Sequence, residues 1–173
     1  MKRISILLAV LAMLMFGITT SAQGVTTNTI DPTAAPTGTH LQTGTIGCSG
    51  DPVICTAFEL AGVGNANAKA TLSTTYTATV QCRNHGNQIV EVKSQVKTVP
   101  ATTGNLAPKN GRLTVAALSS SPVPTAAQFE AQATCPNGNW TKELLGGTIT
   151  LSSFTYTLHF FGFTGNYIRI TGP

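Results

Sequence analysis

Residues 75–97 alternate in character, and few folds can accommodate that alternation. Tyr76, Ala78, Val80 and Cys82 fall on one side of an extended chain, with Thr75, Thr77 and Thr79 on the other. Further on, Val90, Val92 and Val96 are expected to face inward, while Glu91, Lys93, Gln95 and Lys97 face outward. A period of two marks a strand with one buried and one solvated face. The β-branched residues suit that surface. Between the runs lies Arg83-Asn84-His85-Gly86-Asn87, whose Asn and Gly residues favour a turn.

The pattern recurs along the chain. Asn110-Gly111 is a strong hairpin signal, because both residues tolerate positive φ. Leu113, Val115 and Ala117 follow on one face, and 119–124 is a Pro/Ser loop. Residues 126–133 are ambiguous. Their Ala, Gln and Glu content suits a helix, yet Phe129, Ala131, Ala133 and Cys135 alternate. From 145 to 163 the inward phase slips. Leu145, Ile149 and Leu151 are odd, whereas Phe154, Tyr156, Leu158 and Phe160 are even. One extra residue near Ser152-Ser153, a β-bulge or bend, accounts for the slip. Residues 167–170 form a last short strand. Gly162 is expected to turn the chain so that Phe160, Phe161 and Phe163 all enter the core. The expectation is an all-β, antiparallel, immunoglobulin-like sandwich of seven or eight strands, with a barrel as the runner-up.

Four cysteines allow three pairings. The favoured set is Cys48–Cys55 and Cys82–Cys135. The first closes a loop around Gly50-Asp51-Pro52, which is turn chemistry. The second joins two similar settings, each a Thr- and Ala-rich run entering an Asn/Gly turn. In the chain-entropy account the two bridges contribute about 2.5 and about 4 kcal/mol. Spacing of the CxxC kind is missing, so a zinc site is disfavoured.

The N-terminus indicates export. Lys2 and Arg3 precede an apolar run from Ile4 to Ile18, and Thr20-Ser21-Ala22 supplies small residues before Gln23. The apolar run, about 15 residues, falls short of the roughly 20 a spanning helix needs. Residues 1–22 are therefore expected to be a signal peptide, 23–40 a Thr/Pro-rich flexible leader, and 41–173 a single β-domain. The leader has a second reading, as a strand that completes a neighbouring subunit. Removing 22 of 173 residues leaves 151. Lys2 and Arg3 leave too, so ten basic residues become eight against six acids, a charge of about +2. No basic run remains to mark a nucleic-acid surface. An oxidising space suits the paired cysteines.

Catalytic constellations are hard to find. His40, His85 and His159 and the six acids are not at ligand or acid–base spacing. There is no GxSxG elbow, and Gly62-Val63-Gly64 suits a strand end better than a phosphate loop. Asn139-Trp140-Thr141 has the form of a glycosylation sequon, which chance explains as well. Four elements occur in order: Gly62-Val63-Gly64-Asn65, Cys82-x-Asn84-x-Gly86-Asn87, Lys109-Asn110-Gly111, and Cys135-Pro136-Asn137-x-Asn139-Trp140-Thr141. Over residues 57–160 the chain resembles a loose group of small exported bacterial proteins of unknown function. The resemblance implies export, a β-domain and one long-range disulfide, with no reaction, ligand or cofactor attached.

These readings converge on a non-catalytic secreted or cell-surface module that contacts a protein or a glycan. The candidate contact residues are Arg83, Asn84, His85 and Asn87 after one cysteine, and Asn137, Asn139 and Trp140 after the other. No cofactor, metal, nucleic acid or membrane partner is expected after signal cleavage. The alternatives are a self-assembling filament or matrix subunit that adds strands, and, less favoured, a secreted hydrolase.

Overall fold

A computed structural model describes residues 26–173. The expected signal peptide, 1–22, and the start of the expected leader lie outside the described residues. Thirteen strands and one helix follow in chain order. They are β1 (Thr27–Ile30), β2 (His40–Gly44), β3 (Cys48–Ser49), β4 (Ile54–Cys55), β5 (Phe58–Ala61), β6 (Ala68–Arg83), β7 (Ile89–Lys97) and β8 (Ala101–Thr102), then β9 (Arg112–Val115), β10 (Leu118–Ser119), α1 (Ala126–Gln132), β11 (Thr141–Leu144), β12 (Thr150–Phe160) and β13 (Ile168–Gly172). The all-β, antiparallel, disulfide-bonded expectation holds. The count of seven or eight strands was too low, because short strands such as β3, β4, β8 and β10 carry no periodicity.

β6 is the spine. Its 16 residues run about 53 Å at 3.3 Å each. The large sheet has the order β1-β13-β12-β6-β11, with β7 and β8 also on β6. The front half of β6 pairs with β12 and β8, and the rear half with β7 and β11. Two smaller sheets, β2-β5-β9 and β10-β4-β3, complete the set.

The inward residues of β6 serve two cores. Ala68, Ala70 and Leu72 join Phe58, Leu60, Leu113, Val115, Phe154, Tyr156, Leu158 and Ile168, which packs the small sheets onto the large one. Tyr76, Ala78 and Val80 join Val96, Phe129 and Ala133 in a second core beneath α1. Thr74 stands between them. It is buried, and its hydroxyl lies 2.8 Å from that of Thr98. A buried hydroxyl needs such a partner.

The phase slip is a register shift. Leu151 faces Tyr76 while Ser153 faces Thr75, leaving Ser152 as the extra residue. The ambiguity at 126–133 resolves as a helix. Phe129 and Ala133, four apart, are buried, while Ala131 is exposed. The alternation there was coincidental. Thr125 with Gln128 three residues on is the capping signal, and the Gln128 Oε1 accepts from the Thr125 N–H at 2.8 Å.

Three expectations need correction. The leader, 23–40, is not a flexible tail over its described part. Thr27–Ile30 pair antiparallel with β13 of the same chain, Asp31 caps a short 3-10 turn through Thr33, and Ala34 and Ala35 are buried. The ordered domain therefore begins before residue 41. Val90 is exposed, because it packs against neither core. Phe160 is buried and Phe163 packs on the core, but Phe161 stays exposed where Gly162 turns the chain with φ +88°. Gly62 does end β5. It has φ +74°, and a Cβ there would collide with the Gly38 carbonyl.

Candidate functional site

The cysteines pair as favoured, Cys48 with Cys55 and Cys82 with Cys135. Cys48 and Cys55 are direct partners across β3 and β4. That hairpin is moored to β6, because the Tyr76 hydroxyl donates to Asp51 Oδ1 at 2.9 Å. Burial, reinforced by the Asp51 carboxylate, pushes the Tyr76 phenol up to about 12.

The second disulfide joins the two candidate loops. Cys82 sits at the end of β6, and Cys135 follows α1. Beyond Cys135 the chain returns as β11, whose Thr141 lies opposite Arg83. The Thr141 hydroxyl donates to the Arg83 carbonyl at 3.1 Å. Residues 83–87 and 137–140 are thus neighbours at one end of the large sheet.

Not all seven candidate side chains are free. Asn84 builds its own turn: its Oδ1 accepts from the N–H groups of Gly86 and Gln88, both at 2.9 Å, and its Nδ2 donates to Gln88 Oε1 at 2.7 Å. Asn87 supplies a left-handed φ of 59°. Asn137 Oδ1 accepts from the Asn139 N–H at 3.0 Å. Arg83, His85 and Asn139 remain exposed at the surface, and Trp140 is half-buried and joins neither core. The free set combines a guanidinium, an imidazole, an amide and an indole.

The nearby charges have structural tasks. Lys142 Nζ donates to the Ala133 carbonyl at 2.6 Å, and Glu130 Oε1 accepts from the Leu144 N–H at 3.0 Å. Both contacts bind β11 to α1. Sequence reasoning missed these two roles, since each joins residues that are 9 and 14 apart across a fold boundary. Among the described residues no group of three His, Cys, Asp or Glu side chains is placed to hold a metal ion. No described helix is long and apolar enough to cross a membrane.

A scan against protein-family models, a search of curated proteins and a search of solved structures each returned no match.

Proposed function

We propose that this protein is a secreted or cell-surface binding module that acts without catalysis, on an immunoglobulin-like two-layer scaffold. One observation carries the reading. Arg83, His85, Asn139 and Trp140 are gathered at one disulfide-stapled end, while the neighbouring Lys142 and Glu130 are occupied in holding that end together. A stacking ring beside amide and cationic donors suits contact with a glycan or a polar protein surface. Export is supported by the Lys2-Arg3 start, the apolar run and two disulfides in one small domain.

The test is the variant Arg83→Ala, His85→Ala, Asn139→Ala and Trp140→Ala in one chain. These side chains make no hydrogen bond that builds the turns, so the fold survives, as circular dichroism would verify. Binding to whole cells or a glycan array is expected to fall at least tenfold. Binding equal to the parent protein overturns the loop-end reading.

A second reading, self-assembly by strand addition, has its own observation. β1 and β2 are edge strands with every residue exposed, and β1 carries no charge to discourage pairing. Size-exclusion chromatography of the mature chain and of a form lacking residues 23–30 tests it. A monomer in both, across a hundredfold concentration range, rejects it.

A further inference from the structure

The face of the large sheet that looks away from the core carries a regular array. On β6, Lys69, Thr71, Ser73, Thr75 and Thr77 alternate with the buried residues. The register then fixes their neighbours. One row runs Thr102, Thr71, Thr157, Arg169, Thr29, and the next runs Ser73, Thr155, Thr171, Thr27. Lys97 lies opposite Thr75, and Gln95 opposite Thr77. Hydroxyls therefore recur about every 4.8 Å across the strands and about every 6.7 Å along them.

Cations crowd the front of this face. Lys69, Arg83, Lys93, Lys97 and Arg169 lie on it by register, five of the eight cations in the mature chain. Lys93 is committed to the Thr79 hydroxyl at 2.7 Å. Four of the six acids are occupied elsewhere, and the other two lie at the far end of this same face. Asp31 caps its turn, Asp51 receives Tyr76, Glu59 pairs with Arg112, and Glu130 receives Leu144. Glu91 and Glu143 flank Gln81 at the far end. The ion pair between Arg112 and Glu59 is the single one among the described residues. Lys69, Lys97 and Arg169 thus face solvent with no carboxylate partner.

A cavity of about 420 Å³ opens beside the array, lined by Thr75, Gln95, Val96, Lys97 and Gln132. Thr75, Gln95 and Lys97 share the outer face there, a hydroxyl, an amide and an ammonium, groups that recognise a carboxylate or sulfate together with alcohols. Lys69 stands six residues from Thr75 on β6, so the cationic positions span about 20 Å.

We propose that this face binds an anionic polysaccharide, with one acidic sugar seated at Lys97 and the chain running over the threonine rows toward Arg169 and Lys69. Repeated hydroxyls match a repeated, hydroxyl-bearing ligand, and the unpaired cations match its charge. Duplex DNA fits less well. Sequence-independent DNA binding draws on about 6 to 10 phosphate contacts, and the mature chain is too weakly basic to supply them. The proposal takes the binding-module reading as its premise and adds the sheet face as a second contact surface, apart from the loop end.

The experiment is calorimetric titration of the mature protein with polygalacturonate at low and at moderate salt. Neutral dextran and a duplex DNA oligonucleotide are the comparison probes. Polygalacturonate is expected to bind, more weakly as salt rises, and dextran to give no signal. Lys97→Gln and Arg169→Gln, both exposed, are each expected to weaken binding about three- to tenfold. Thr157→Val, which keeps the shape and removes one hydroxyl, is expected to weaken it about twofold to threefold. Lys109→Gln, an exposed cation outside the large sheet, is expected to leave it unchanged. No binding at low salt overturns the proposal, as does full binding by the double variant Lys97→Gln/Arg169→Gln, or DNA bound as tightly as the polysaccharide. Loss of binding in Trp140→Ala with none in the double variant overturns the sheet-face site and leaves the loop-end reading standing.

Discussion

The two cores of this protein are held by different means. The main core draws branched and aromatic side chains from three sheets and includes the Cys48–Cys55 bridge. The second core has one large side chain from α1, Phe129, set against Tyr76, Ala78, Val80 and Val96. A seven-residue helix is far too short to stand alone. Burying Phe129 and Ala133 contributes about 3 kcal/mol, against an ordering cost of about 1 to 2 kcal/mol for each residue. The deficit is met by a disulfide and by polar contacts: Ser94 to the Phe129 carbonyl at 2.7 Å, Lys142 to the Ala133 carbonyl, and Glu130 to the Leu144 N–H. Where apolar area is scarce, covalent and polar links take over. The candidate contact loops sit on this stapled end.

Phe129→Ala tests that contrast most strongly. It removes the main apolar anchor of α1 and is expected to cost about 3 to 5 kcal/mol. Hydrogen exchange is expected to quicken in α1 and β11 while β12 and β13 stay protected. Equal loss of protection in both regions would show that the two cores unfold as one unit. The disulfides come next. Replacing Cys82 and Cys135 with Ser is expected to cost about 4 kcal/mol, and replacing Cys48 and Cys55 about 2.5 kcal/mol. Urea unfolding of the two double variants measures both. The opposite ranking would contradict the idea that the helical end depends on its staple.

Much of this arrangement was legible in the sequence, for identifiable reasons. β6 and β12 announce themselves because each buries one face, so period two is enforced residue by residue. The slip near Ser152-Ser153 was visible for the same reason, since one added residue reverses every later side chain. The cysteine pairs were legible from turn chemistry. β1 was not: Thr27–Ile30 bury nothing, so no alternation marks them, and the pairing with β13 is made by backbone groups alone. The helix was half legible, because the Ala, Gln and Glu content of 126–133 suits a helix while Phe129, Ala131 and Ala133 also alternate. At the candidate site, proximity of the two loops followed from the disulfide. The consumption of Asn84 and Asn137 by their own turns depends on side-chain geometry that residue type does not specify.

Alkaline pH offers a gentler way to probe the junction between the cores. Burial pushes the phenols of Tyr76, Tyr156 and Tyr167 upward, Tyr76 to about 12. A tyrosine free in the unfolded chain titrates near 10. Between pH 10 and about 12 the unfolded state has lost the Tyr76 proton and the folded state keeps it. The stabilisation is therefore complete below pH 10 and is lost as pH rises toward 12, by no more than about 1.4 kcal/mol per unit for this group. Melting temperature measured from pH 8 to pH 11.5 is expected to be flat at first and then to fall. Tyr76→Phe is expected to flatten that fall at the cost of the bond to Asp51. An identical slope in the variant would remove Tyr76 from the account.

The smallest effect lies inside the main core and runs in the opposite direction. Tyr156 is buried there, and its hydroxyl has no hydrogen-bond partner among the described residues. A buried, unpaired hydroxyl costs about 1 to 3 kcal/mol relative to hydration. Tyr156→Phe keeps the ring and removes the oxygen, so it is expected to raise stability by about 1 kcal/mol in urea unfolding. The apolar core would then gain from losing a polar atom. At the helical end Ser94→Ala, which strips a hydroxyl bonded to the Phe129 carbonyl, is expected to lose a similar amount. Opposite signs for the two deletions are the sharpest form of the contrast. Two losses of equal size would mean that Tyr156 and Ser94 are paired alike, and that polar ties support both cores.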